Sequence, residues 1–211
     1  MRLCAWDLAL ERGGRRLFAA LNLTVDEGEA LIVVGPNGAG KSSLLRALCG
    51  FLPLSAGGFA LEGGDDERTL GEQAHYLGHA DALKSALTAG ENLVFWTGAL
   101  GGATARGRGR ETALAALDRV GLAHVVDFPV RALSAGQKRR VAIARLLVAA
   151  RPIWLLDEPT TALDAGARRA FAAILQGYLD GGGIVVAATH SDLGIAEARE
   201  LRLGERAERT P

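Results

Sequence analysis

The string Gly35-Pro36-Asn37-Gly38-Ala39-Gly40-Lys41-Ser42 lies between an apolar run, Ala30 to Val34, and a segment of helical spacing that runs from Ser43 to Leu48 and stops at Gly50. Strand, glycine-rich turn and helix in that order admit few folds, because the backbone must reverse tightly and then open a helix whose first N–H groups are unpaired. Glycines let successive N–H groups curl inward, and the helix adds the positive end of its dipole, so the turn is shaped to surround an anion. In the spacing GxxxxGK[ST] that anion is a nucleotide polyphosphate. Gly35, Pro36, Asn37, Gly38, Ala39, Gly40 and Ser43 form the cradle, Lys41 reaches the β and γ phosphates, and Ser42 ligates Mg2+.

Two further apolar runs, Ile153 to Leu156 and Ile184 to Ala188, are short and lack alternation, as expected of strands covered on both faces of a parallel sheet. Arg168 to Leu179 has helical spacing and ends at Gly181-Gly182-Gly183. The fold class is therefore α/β. Ahead of the first run, Arg15 to Val25 alternates imperfectly, and Asp26-Glu27-Gly28 reads as a turn joining it to Ala30–Val34 in an antiparallel layer, with Leu3 to Leu10 as a further strand. Thr88 to Ala150 is mostly helical in spacing and reads as an inserted sub-lobe, with the glycine-arginine stretch Gly101 to Arg110 as a mobile connection. The 211 residues thus read as one domain: a core at about 1–87 and 151–211, and a helical sub-lobe at about 88–150. The charged segment Arg199 to Pro211 reads as a tail.

The second chemical element is Ile153-Trp154-Leu155-Leu156-Asp157-Glu158, an apolar strand that delivers two acids at its C-terminal end, where open α/β sheets bind ligands. Asp157 is placed to hold Mg2+, and Glu158 to polarise the water that attacks the γ phosphate. The third is Leu133-Ser134-Ala135-Gly136-Gln137 ahead of the helical stretch Lys138 to Ala150. Ser134 and Gln137 have the spacing of a capping box, which any helix can use.

Taken together, LSAGQ followed by a basic cluster, after the phosphate loop and just before the acid strand, resembles the signature motif of ABC-type ATPases. That resemblance implies a RecA-like parallel core with an N-terminal antiparallel β layer, and two ATP-binding domains stacked head to tail as a homodimer. Ser134, Gly136 and Gln137 would then meet the γ phosphate held by the partner's loop. Ala162-Leu163-Asp164 is similar to the family's D-loop, and His190 to its switch histidine, which senses the γ phosphate. The family's adenine-stacking aromatic is missing from Glu11-Arg12-Gly13-Gly14, leaving the Arg12 guanidinium, Phe18 or Trp6 for that role. His79, in Tyr76-Leu77-Gly78-His79, stands where the family usually has the glutamine that couples Mg2+ to the helical lobe.

That segment, continued through Leu83 to Leu93, resembles the ATP-binding subunits of the haem exporters of bacterial cytochrome c biogenesis. The resemblance implies integral membrane permease subunits as partners and a peripheral place on the cytoplasmic face of the inner membrane. His75 and His124 read as surface residues. Lys+Arg and Asp+Glu both total 24, so zero net charge gives no footprint for nucleic acid. The longest apolar stretch, Val141 to Ala150, is interrupted by Arg145 and too short to span a membrane. Cys4 and Cys49 form neither a CxxC nor a zinc pattern, which fits a reduced, intracellular compartment. Rival readings are a soluble ABC ATPase acting on ribosome or DNA, which predicts fused nucleotide domains and basic surfaces, and a phosphate-loop kinase, which needs neither LSAGQ nor His190.

Overall fold

In a computed structural model, which describes residues 1–101 and 107–204, the chain opens with two long antiparallel strands, β1 (Arg2–Arg12) and β2 (Arg15–Asp26). Strand β3 (Ala30–Val34) then enters a different sheet, and β4 (Ala56–Glu62) returns to pair with β1, giving an antiparallel layer of order β2-β1-β4. Four later strands join β3: β5 (Ala74–Leu77), β6 (Ile153–Asp157), β7 (Ile184–Ala188) and β8 (Arg199–Arg202). Their order is β5-β6-β7-β3-β8, and every pairing in this second sheet is parallel. Between them run α1 (Lys41–Leu48), α2 (Leu70–Gln73), α3 (Ala89–Leu100), α4 (Gly109–Arg119), α5 (Ala135–Ala144) and α6 (Ala165–Asp180).

Period-two alternation in the parallel sheet serves two cores at once. Ile153 and Leu155 of β6, with Ile184 and Val186 of β7, face α1 and the antiparallel layer, where Leu3, Leu8 and Leu44 are fully buried. Trp154 and Leu156, with Val185 and Ala187, face the opposite way, onto α6 and the helical segment, where Leu93, Leu117 and Val141 lie. Because both faces are covered, these strands are apolar throughout, and that is why the bare runs were recognisable. Tyr178 of α6 stacks on Trp154 with ring centres 3.9 Å apart, and its hydroxyl donates to the Arg151 carbonyl at 2.8 Å.

Three expectations need correction. Asp26-Glu27-Gly28 does not fold β3 back onto β2; Gly28 N–H donates to the Gly183 carbonyl at 3.1 Å, and the turn delivers β3 between β7 and β8. A strand buried on both sides needs neighbours in a covered sheet, whereas the outer positions of β2 face solvent. The segment read as a charged tail begins with β8, whose four residues pair with Leu31–Val34 at the sheet edge. Residues 205–211, like 102–106 of the glycine-arginine stretch, lie outside the described residues.

His75, read as a surface residue, is instead 3% exposed on β5. Its Nε2 donates to the Ala149 carbonyl at 2.8 Å, which satisfies one ring nitrogen inside the core. Burial, reinforced by the nearby positive charges of Arg151 and Arg145 and only partly opposed by that hydrogen bond, pulls its pKa down from 6.5 to about 4. Between those values the unfolded chain binds a proton that the folded chain refuses, so stability falls as pH drops from about 6.5 towards 4 and is unaffected by this group above that window. Urea unfolding of the parent should therefore show a steeper loss of stability from pH 7 to pH 5 than His75→Gln, which keeps a donor for Ala149. Equal slopes would remove His75 as the cause.

Candidate functional site

Parallel pairing sets the geometry of the site. Ala188 of β7 is opposite Val33 of β3 on one side and Asp157 of β6 on the other, so three strands end level with one another. The phosphate loop, the acid pair and the Thr189-His190 segment emerge from those ends side by side, at the carboxyl edge of the sheet.

The loop needs glycine where the backbone is left-handed or crowded. Gly35 has φ +144°, and a Cβ there would run into the Leu203 carbonyl just beyond β8. Gly40, at the N-cap of α1, has φ +105° and would bring a Cβ to 3.1 Å from Leu17. Lys41, the first residue of α1, is 9% exposed. Its Nζ donates to the Gly35 carbonyl at 2.6 Å and the Pro36 carbonyl at 3.2 Å, and lies 3.1 Å from His190 Nε2. Ser42 Oγ donates to Asp157 Oδ1 at 2.8 Å. A hydroxyl and a carboxylate oxygen side by side are the hard donors Mg2+ accepts when phosphate oxygens and water supply the rest. Among the described residues, no group of three or more His, Cys, Asp or Glu forms a self-sufficient metal cage.

Glu158 adopts φ +46°, unusual for a residue with a side chain and costing on the order of 1–3 kcal/mol that its surroundings must offset. Its N–H donates to the Ala188 carbonyl at 2.8 Å, and its Oε2 accepts from Thr189 Oγ1 at 3.2 Å. Thr189 is 1% exposed and its Oγ1 also accepts from Ser191 N–H at 3.0 Å, so it orients the carboxylate from behind. Reading the sequence overlooked Thr189; its position directly before His190 was the available clue.

A cleft of about 360 Å3 brings together Arg12, Leu17, Asn37, Gly38, Gly40, Lys41, Ser42, Ser43, Asp157 and Glu158. Of the three groups proposed to stack on adenine, Arg12 borders this cleft. Phe18 is buried beside Gly40, and Trp6 lies against Gly58 of β4. Leu17, which the sequence reading did not single out, forms an apolar wall next to Arg12.

Ser134, Gly136 and Gln137 lie elsewhere, at the start of α5. Ser134 Oγ accepts from Gln137 N–H at 3.2 Å and Gln137 Oε1 accepts from Ser134 N–H at 2.9 Å, completing the capping box. Such a cap stabilises a helix by about 1 kcal/mol and leaves other first-turn N–H groups free for an anion. A Cβ on Gly136 would come within 2.9 Å of the Ala162 carbonyl, so the start of α5 packs closely on the segment after the acid pair.

His79 also lies outside the cleft. It is exposed and borders a separate groove of about 490 Å3 between β5 and α3, with Phe51, Tyr76, Trp96 and the arginines 46, 145 and 151. Those guanidinium groups rest on the Tyr76 hydroxyl, the Tyr76 carbonyl and the Ala74 carbonyl respectively, not on carboxylates. Arg145 also sits 4.8 Å over the Trp96 ring, and burial lowers its pKa to about 10.

Residues 18–161 match the ABC transporter family. The chain is 58% identical over 204 residues to the cytochrome c biogenesis ATP-binding export protein CcmA of Nitrobacter winogradskyi, covering 97% of this chain and 98% of that one. Identity to the protein of the same name from Bradyrhizobium diazoefficiens is 51%, with the same coverage. Among solved structures, a dimeric ATP-binding cassette in a post-hydrolysis state with ADP and Pi superposes with a TM-score of 0.81 at 27% identity, covering 95% of this chain and 94% of that one. An ABC transporter ATP-binding protein from Pyrococcus furiosus shares the fold, with a TM-score of 0.80 at 20% identity, covering 96% of this chain and 98% of its own. With a level row of strand ends carrying GPNGAGKS, the acid pair and His190, and with relatives matching it nearly end to end, the chain belongs to the ATP-hydrolysing subunits of the ABC transporter family.

Proposed function

We propose that this chain is the ATP-driven subunit of an export complex for cytochrome c biogenesis, with haem as the exported molecule. The support for that role is the 58% identity over 97% of the chain to a protein of that name. The support for the chemistry is the 2.8 Å contact between Ser42 and Asp157, which sets two oxygen donors for Mg2+ beside Lys41 and Glu158. In this reading residues 1–87 and 151–211 form the nucleotide-binding core and residues 88–150 the helical sub-lobe.

Lys41 and the loop N–H groups of residues 35–43 hold the β and γ phosphates of ATP, and Arg12 with Leu17 faces the adenine side of the cleft. Ser42 and Asp157 hold Mg2+, which neutralises charge on the phosphates when bound. Glu158, oriented by Thr189, accepts a hydrogen bond from the attacking water and draws off its proton as the water oxygen bonds to the γ phosphorus and the bond from that phosphorus to the β–γ bridging oxygen breaks, releasing ADP and phosphate. His190, already 3.1 Å from Lys41, turns to the γ phosphate and responds to its departure. Ser134, Gly136 and Gln137 complete the site from the second copy of a homodimer, presenting the dipole of α5 to the same γ phosphate. His79, outside the cleft, links nucleotide state to the groove beside it.

No described helix is long and apolar enough to cross a membrane, so the exporter needs integral membrane permease subunits. Their cytoplasmic segment is the occupant proposed for the groove. Phe51, 63% exposed, and Trp96 offer apolar contact, while Arg46 and Arg151 leave positive charge for a carboxylate on that segment. The chain then sits on the cytoplasmic face of the bacterial inner membrane as a peripheral subunit.

Glu158→Gln should bind ATP with parental affinity, lose turnover by at least about 100-fold, and collect as an ATP-dependent dimer in sedimentation velocity. Parental turnover in that variant would contradict the role given to Glu158. Phe51→Asp should retain nucleotide binding yet fail to co-purify with integral membrane subunits from detergent-solubilised membranes. Undiminished recovery would place the docking surface elsewhere.

A further inference from the structure

The basic cluster after LSAGQ hides an unusual side chain. Arg139, one turn into α5, is 3% exposed, while its neighbours Lys138 and Arg140 are partly open to solvent. A guanidinium carries five N–H donors, and here all five are used. Nε donates to the Pro159 carbonyl at 3.0 Å. One terminal nitrogen donates to the Gly78 carbonyl at 2.8 Å and to Asp81 Oδ1 at 3.1 Å. The other donates to the Asp157 carbonyl at 3.2 Å and the Glu158 carbonyl at 2.7 Å.

Three of these acceptors are consecutive carbonyls, residues 157 to 159, centred on the residue with φ +46°. Consecutive carbonyls of an extended strand point to opposite sides, so one planar group can gather three only where the chain leaves that conformation. Arg139 therefore binds the bend at Glu158. Its remaining two donors hold the residues on either side of the His79-Ala80 pair, and its backbone belongs to the helix that begins at Ser134. Lysine could replace the charge but not the fork, because an ammonium has three donors converging on one atom.

We propose that Arg139 is a positioning residue for ATP hydrolysis. It holds Glu158 in its bent backbone conformation and ties that bend to the His79 loop and to α5, so that a shift of α5 or of the loop is felt at the carboxylate. The inference rests on the role given above to Glu158. It assigns Arg139 no contact with nucleotide, and so separates from a binding role: loss should fall on kcat and leave ATP affinity nearly untouched.

The test uses the complex purified from its own membranes, with nucleotide affinity measured by equilibrium binding of a fluorescent ATP analogue and folding by thermal denaturation. Arg139→Lys should lower kcat by roughly 10- to 100-fold, the scale expected when a reacting group is displaced by about an ångström, while affinity changes less than about threefold. Asp81→Ala, which removes the one carboxylate orienting the guanidinium, should lower kcat by a smaller factor. Adding it to Arg139→Lys should produce little further loss, because both changes act through the same contact. If Arg139→Lys does not fold, Asp81→Ala alone decides, and parental kcat in that variant overturns the proposal. Parental kcat in folded Arg139→Lys, a loss confined to KM, or fully additive losses would also overturn it. Those failures, alongside an inactive Glu158→Gln, would leave the role of Glu158 standing; an active Glu158→Gln would remove that role first.

Discussion

The alignment of Val33, Ala188 and Asp157 across β3, β7 and β6 is the constraint on which the rest depends. Parallel strands about 4.8 Å apart that end level place whatever follows them within reach of one small molecule. Here the following residues are a phosphate loop, an acid pair and a histidine, the loop lying more than a hundred residues ahead of the other two in sequence. The contact between Ser42 and Asp157 is the closest sign of that convergence. A slip of one residue in the β6–β7 pairing would turn Asp157 to the other face of the sheet and break it.

Around this row the chain solves two problems with one sheet. Alternating side chains of β6 and β7 feed separate cores, one shared with α1 and the antiparallel layer, the other with α6 and the helical segment. Rigid packing on both faces lets the sheet edge carry strained backbone, such as Glu158, without collapse. The start of α5, capped by Ser134 and Gln137, does not line the chain's own cleft. A capped helix start set apart from its own chain's cleft is what a site completed by a second copy would use.

Legibility in the sequence followed burial. The runs Ala30 to Val34, Ile153 to Leu156 and Ile184 to Ala188 stood out because strands covered on both faces are nearly all apolar. Strands β4, β5 and β8 did not: β4 contains Gly57 and Gly58, β5 has four residues, and β8 reads Arg-Glu-Leu-Arg on an exposed edge. In β1 and β2, positive φ at Asp7 and Ala20 accompanies breaks in register, which blurred their alternation. The phosphate loop and acid pair were legible since their chemistry depends on local spacing. Arg139 was not, because a buried arginine inside a basic cluster has the same letters as a solvated one, and only its five partners from distant segments distinguish it.

The central claim is that each reaction centre is built from two copies. Mixing Lys41→Ala chains with Gly136→Asp chains, each inactive as a homodimer, tests it most directly. Heterodimers would then contain one doubly damaged site and one intact site, so ATPase activity should return to as much as about a quarter of the parental level after random exchange of subunits. Mixtures that remain as inactive as the separate variants, despite demonstrated subunit exchange, would mean that both residues serve the same chain's site and would contradict the account.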